Sequence, residues 1–565
     1  MNKEMKFKVG ASLHPPTAAI TRVEPKLLTD CSKCEGNVNV GLFFDGTKNN
    51  READMPYLGH SNVARLFDAY LDKNGDGYYP AYVPGVGTPF PEVGENGESG
   101  LGGGFAIGCE QRVLFGLCWV LNALHRAAFN DQFFLSGAQV KALCRSQSVN
   151  SSIVLAEDYA ELSQLGLRSG LRMPDFIGDG DRESILMGQA KLLTEKLVRG
   201  KPRIKECFID VFGFSRGAAE ARVFCNWLDR LLTGGTLAGV VIHIRFLGIM
   251  DTVASAGFWS STVSGVTGLD GGHTGWADSA FLRIPASVQN CVHMVAMHEL
   301  RKNFPLDTVT IDGVMPPHCQ EYAYPGSHSD IGGGYRSGEL GVSVGKTNID
   351  GDALKLAQIP LNHMLACAIA AGAPMKRIRA GNTQRAYDPF AIDPRVHNAF
   401  SEFLNFSTIR PRPAHEWLQP YLNWRWEIRK RYLSQGHVRN ASENDRELLI
   451  KFNNILVADA ALLDRTANRS RLTLLLNRTA QLDSLATFAF DDEARAVLAI
   501  AQAAPPANEV LHAMFDGFVH DSLAGFDHAA LEMTGYWRYR KGFLGSRKRL
   551  IASHDTDVEQ TSTTA

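Results

Sequence analysis

Residues 206–230 read ECFIDVFGFSRGAAEARVFCNWLDR, and this stretch decides the fold. A largely apolar run, 207–212, turns through Gly213-Phe214-Ser215-Arg216-Gly217 into a segment where Val223, Trp227, Leu228 and Leu231 recur at helical spacing. The pattern predicts strand, tight turn, helix. A serine held at such a turn sits in strained backbone with its hydroxyl raised above the sheet edge, and the flanking glycines let strand and helix pass closely. The Arg216 amide and the helix N-terminus then face any oxyanion formed beside Ser215.

The pentapeptide alone is weak in a chain with 53 glycines, so context must decide. Gly341-Val342-Ser343-Val344-Gly345 fits the same pattern, but polar residues 336–339 precede it and no strand enters. Ser215 is the expected nucleophile and Ser343 a decoy.

The chain is 565 residues long, enough for one large α/β domain with insertions or for two or three domains. Hydrophobic residues make up 45 % and the formal charge is −2, which indicates neither disorder nor a generally basic nucleic-acid binder. Lys3, Lys6 and Lys8 are followed by no continuous apolar segment, and no run of eighteen apolar residues occurs, so neither a signal peptide nor a membrane span is expected. The 10 cysteines are scattered, which fits synthesis in a reducing cytoplasm; only Cys31 and Cys34 are paired in sequence, too little for a metal site. No cofactor is expected.

Residues 1–36 read as a polar leader. Residues 38–44 form a buried strand ending in Asp45-Gly46-Thr47-Lys48-Asn49-Asn50, a loop at the sheet's carboxyl edge, where open α/β folds place their sites. The amides of Gly46 and Thr47 are candidates for the second half of an oxyanion hole, while Asp45 either satisfies local amides or serves as an alternative base. A strand at 78–83 leads to the glycine-rich segment 85–108, a candidate lid, and an apolar helix at 109–129. After an apparent insertion at 131–180 and a helix at 183–199 comes the nucleophile strand, and the alternation predicts a parallel sheet.

The next strand, 240–250, delivers Asp251, well placed to orient a histidine. His293 and His298 lie in an apolar stretch and read as core or helix-surface histidines rather than catalysts. His328 sits on a small-residue loop between Ser327 and Ser329 before Gly332-Gly333-Gly334, with room to act as general base. His520 is its competitor; Phe515, Phe518 and Leu523 give its stretch an apolar helical face, so it reads as a residue lining the cleft or bonding the catalytic loop.

From residue 354 the pattern turns helical, predicting a cap over 351–552 beside a catalytic domain at 37–350, with a disordered tail at 553–565. Two stretches of the cap mix aromatics with cations, 424–432 and 536–549, and they read equally as solvated faces or as membrane contacts through Trp537, Arg538, Arg540 and Lys541. The fold class expected is an α/β-hydrolase-like, mostly parallel sheet with inserted loops and a C-terminal helical cap.

FFDGTKNN, GFSRGAA, MDTVAS and SHSDIGGGY, in that order, resemble the family of uncharacterised α/β-hydrolase domains that includes the type VI secretion phospholipase effectors; FVHDSLAGF near the end is similar to its bacterial effector branch. The likeness spans about residues 38–335. It implies a serine esterase of phospholipase A type with the triad Ser215, Asp251 and His328. It further implies a membrane phospholipid substrate, a secretion-spike partner, a cognate immunity protein, and delivery from the producer's cytoplasm into a rival bacterium's periplasm or membrane. An esterase acting on a soluble ester and a noncatalytic binding module of the same fold are the alternatives.

Overall fold

The computed structural model describes residues 8–9, 19–24, 35–97, 107–145, 156–167, 181–254, 281–301, 304–311, 313–376, 387–406, 414–466, 492–524, 535–537, 540, 542–543 and 549–550. Its strands in chain order are β1 (Lys8–Val9), β2 (Glu35–Phe44), β3 (Tyr78–Val83), β4 (Arg203–Phe214), β5 (Thr236–Leu237), β6 (Val240–Met250), β7 (Cys291–Ala296), β8 (Leu306–Asp307), β9 (Cys319–Tyr324), β10 (Gly542–Phe543) and β11 (Arg549–Leu550). The central sheet runs β1-β9-β7-β6-β4-β2-β3, parallel throughout except that β5 pairs antiparallel with β6. β4, which carries the serine, is therefore central.

Burial on both faces explains the continuous apolar runs in β2, β4 and β6. The exception is Asp210 in the middle of β4. Arg245 of β6 clamps it with Nε at 2.9 Å and Nη2 at 2.6 Å, and the Tyr70 hydroxyl donates at 2.8 Å. A buried carboxylate is tolerated when it is paired and hydrogen-bonded in this way.

Two helices cover one face of the sheet, Ile107–Ala128 and Arg216–Leu231, and the latter buries Val223, Phe224, Trp227, Leu228 and Leu231. Each such side chain contributes about 1.5–3 kcal/mol on burial. The other face carries Asn62–Ala69 and the helices from Gln358–Ala371 onward, and it shares one apolar core with residues as distant as Tyr536 and Trp537. The C-terminal helices are thus continuous with the sheet's own core.

Several expectations change here. Lys8–Val9, inside the presumed leader, adds an edge strand beside β9. Trp424, Arg425 and Tyr432 of the first aromatic–cationic stretch are buried, while Lys430 and Arg431 are exposed. Gly85 approaches the Gly46 carbonyl so closely that a Cβ there would lie 1.7 Å from it, so the start of the glycine-rich segment is packed backbone; residues 98–106 of the lid reading lie outside the described residues, as do Cys31, Cys34 and the 553–565 tail. The insertion contains helices Gly137–Cys144 and Ala156–Gln164. Among the described residues no helix is long and apolar enough to cross a membrane.

Candidate active site

Ser215 has φ 58° and ψ −121°, outside the regions an L-residue prefers, and it initiates the helix Arg216–Leu231. The neighbours over-determine that strain. Ser215 N–H donates to the Met250 carbonyl at 3.0 Å, and the Ser215 carbonyl accepts from Val253 N–H at 3.2 Å, pinning the turn to the end of β6. A Cβ on Gly213 would lie 2.4 Å from the Gly217 carbonyl oxygen, and one on Gly217 would lie 2.2 Å from that of Phe44. Both glycines of the pentapeptide are thus required by backbone contact.

Asp251 follows β6 with φ 44°, its N–H bonded to the Met294 carbonyl at 2.7 Å. His328 begins the short helix His328–Gly332, which Ser327 and Asp330 close with a capping box. Across 77 residues His328 Nδ1–H donates to Asp251 Oδ2 at 2.5 Å. The His328 ring lies 4.6 Å from the ring of Phe214, the residue before Ser215, and 5.0 Å from Phe304. Gly332 permits this approach: a Cβ there would lie 2.0 Å from the Phe214 ring. The sheet edge therefore assembles the serine turn, the histidine loop and the aspartate.

Burial pushes His328 below its usual value, against the upward pull of Asp251, so the imidazole is neutral at pH 7 and able to accept a proton. Burial alone would raise Asp251, but Arg540 and His328 outweigh it and hold the carboxyl well below the usual carboxylate range. Arg540 is the residue that sequence reasoning misplaced. Its Nη1 and Nη2 donate to Asp251 Oδ1 and Oδ2 at 2.9 and 2.8 Å, and its Nε donates to the Phe304 carbonyl at 2.6 Å. Ala296 N–H adds a bond to Oδ1 at 2.8 Å.

Two membrane contacts expected from the sequence are corrected accordingly. Arg540 is 7 % exposed and bound to Asp251, and Trp537 is fully buried with its Nε1–H on the Leu456 carbonyl at 3.2 Å. Apolar packing and ion pairing draw both inward; Arg538 and Lys541 lie outside the described residues.

His520 pairs with a different carboxylate. Its Nδ1 lies 2.6 Å from Asp330 Oδ1 and its N–H donates to Asp330 Oδ2 at 3.1 Å, while the ring stacks on Tyr335 at 3.8 Å. It thereby braces the helix that carries His328. Asp45 is held in its loop by the Tyr82 hydroxyl at 2.6 Å and the Gly46 amide at 2.7 Å, and burial pushes its carboxyl up to about 6. The Gly46 N–H is thus directed at Asp45 rather than at the space above Ser215. Arg216 Nε–H donates to Thr47 Oγ1, tying the helix Arg216–Leu231 to the β2 loop.

Glu299 accepts from the His328 amide at 3.1 Å and from the Ser522 hydroxyl at 3.0 Å; burial alone would raise its carboxyl, but its counter-ion Arg301, together with His328 and Arg540, lowers it to about 2. Nothing in the local sequence marks Glu299 or Arg540. The decoy Ser343 spends its hydroxyl on the Leu354 carbonyl at 3.1 Å and follows no strand. His293 and His298 are buried, and among the described residues no cluster of three metal-ligating side chains occurs.

The fold defines an α/β protein with a strained serine at the carboxyl end of a central parallel strand. The family model described as T6SS, phospholipase effector Tle1-like, catalytic domain matches residues 39–237 and 234–367, and the chain belongs to that family of type VI secretion phospholipase effectors. A crystal structure of an uncharacterized protein from Pseudomonas aeruginosa superposes with TM-score 0.65 at 26% identity, covering 90% of this chain and 80% of that one. The structure of the Tle1 effector bound to the VgrG spike from the type 6 secretion system aligns with TM-score 0.35 at 18% identity, over 68% of this chain and 83% of that one. No curated protein matches the sequence.

Proposed function

We propose that the protein is a serine phospholipase of A type, in which Ser215 attacks the acyl carbonyl of a membrane phospholipid. The Ser215 hydroxyl proton passes to His328 Nε2 as the Oγ–C bond forms, and the carbonyl electron pair becomes an oxyanion facing the amides of Arg216 and Thr47 at the helix N-terminus. Collapse expels the lysophospholipid alkoxide, which takes the proton from His328; water then repeats the sequence and releases the fatty acid. Asp251 keeps the imidazole in the tautomer that leaves Nε2 as acceptor. The observation that carries this reading is the 2.5 Å pair of Asp251 and His328 beside the strained Ser215 turn, in a chain of a phospholipase effector family.

In the same reading residues 37–350 carry the chemistry and 351–552 roof it. The protein acts as an antibacterial effector. It is made in the producer's cytoplasm, is carried by a component of the secretion spike into a rival's periplasm or membrane, and is neutralised in the producer by an immunity protein. These roles rest on family membership.

The test is fatty-acid release from phosphatidyl vesicles together with fluorophosphonate labelling of the pure protein. Ser215→Ala should lose labelling and cut release by roughly three to six orders of magnitude. Labelling without release from vesicles would favour an esterase acting on a soluble ester, and a wild type that never labels would favour a binding module.

A further inference from the structure

Two carboxylates flank His328, and each has its own arginine. Asp251 takes the imidazole Nδ1–H and is clamped by Arg540; Glu299 takes the His328 amide and is clamped by Arg301 at 2.9 and 3.0 Å. Two negative and two positive charges balance around a buried imidazole. Three of the groups that hold this arrangement arrive from the end of the chain. His520 grips Asp330 within the His328 helix, Ser522 donates to Glu299, and Arg540 spans both oxygens of Asp251 across 289 residues.

We propose that His520, Ser522 and Arg540 act as a clamp that completes the active site, with Arg540 as the positioning residue that fixes the Asp251 carboxylate toward His328. The inference rests on the serine-hydrolase reading above and deepens it. Asp251 is fully buried, and a carboxylate there keeps its charge only if counter-charge and donors surround it. Three donors besides His328 do so: the Ala296 amide and two N–H groups of one guanidinium. The guanidinium is planar, so its two bonds fix the plane of the carboxylate as well as its position, and the third bond, to Phe304, anchors the arginine itself. With that plane fixed, Oδ2 faces Nδ1.

Removing Arg540 leaves a buried carboxylate short of partners. Its remaining pull falls on His328, whose surroundings are then Asp251, Glu299 and Arg301, with Asp330 engaged by Ser327 and His520. The imidazole gains proton affinity, and less of it is available as a base near neutral pH.

The experiment measures the rate of fluorophosphonate labelling at Ser215 against pH, in full-length wild type, Arg540→Met and Arg540→Lys, with thermal unfolding of each. Arg540→Met should label about 10²-fold more slowly at pH 7.5, with its acid limb about one pH unit higher. Arg540→Lys keeps the charge but cannot bridge two oxygens in one plane, so it should label about tenfold more slowly with the limb near that of wild type. A folded variant that labels within twofold of wild type with an unmoved limb overturns the proposal while the hydrolase reading stands. Loss of a cooperative transition in both variants assigns Arg540 to folding and overturns the positioning role. A wild type that does not label refutes the hydrolase reading itself.

Discussion

Gly217→Ala tests the packing that holds the Ser215 turn. The added Cβ would lie 2.2 Å from the Phe44 carbonyl oxygen and 2.4 Å from that of Asp45, both backbone atoms at the end of β2. Real contacts of this kind do not fall below 3.0 Å, so the helix Arg216–Leu231 and the β2 loop must separate by about 0.8 Å. Two effects compete. Alanine in place of glycine favours a helix by up to about 1 kcal/mol, whereas overpacking against fixed backbone costs about 1–3 kcal/mol. The second wins here, because two main-chain carbonyls cannot rotate away as a side chain would, and a net loss of about 1–2 kcal/mol is expected. Function should suffer more than stability. The displacement acts on Ser215 and on the loop that carries Thr47, and a misplacement near 1 Å costs about 10²-fold in rate. The assay is the labelling rate beside the thermal midpoint, with Gly188→Ala as control: Gly188 lies in the helix Asp181–Leu197 with nothing within 4 Å of its added Cβ, so that variant should label normally and melt no lower. A Gly217→Ala protein that labels at the wild-type rate would refute the argument.

Glu220 lies fully buried in the helix Arg216–Leu231, and burial pushes its carboxyl from 4.5 up to about 8, so the folded protein holds a proton there that the unfolded chain releases above pH 4.5. Its stability contribution is therefore complete below pH 4.5 and falls by up to about 1.4 kcal/mol per pH unit as pH rises toward 8; Glu220→Gln should flatten that slope in urea titrations across pH 5–8, and an unchanged slope would show the group to be ionised. Trp537→Ala should cost about 3–5 kcal/mol in urea unfolding, since it empties a fully buried site packed on Trp426; weaker vesicle binding at unchanged stability would instead return Trp537 to the surface.

The sequence by itself determined the parts of the molecule that short-range chemistry specifies. The apolar run of 207–212, the Gly-x-Ser-x-Gly turn and the helical spacing of Val223, Trp227 and Leu228 encode strand, turn and helix within 25 residues, and β3 and β6 were legible down to their ends for the same reason. The positions of Asp251 and His328 at the carboxyl ends of strands were legible because each stands where an apolar strand gives way to small and polar residues. Tertiary structure decided what long-range pairing specifies. Aromatic–cationic composition reads the same on a membrane-facing surface and in a core, and only the fold shows that Trp537 fills an interior site and that Arg540 meets Asp251. The partner of His520 was hidden likewise, because Asp330 lies 190 residues away and no periodicity links them. Local propensity fixes which element a residue belongs to; a buried charge finds its counter-charge only after the chain has folded, because the penalty that drives the pairing exists only once water has been excluded.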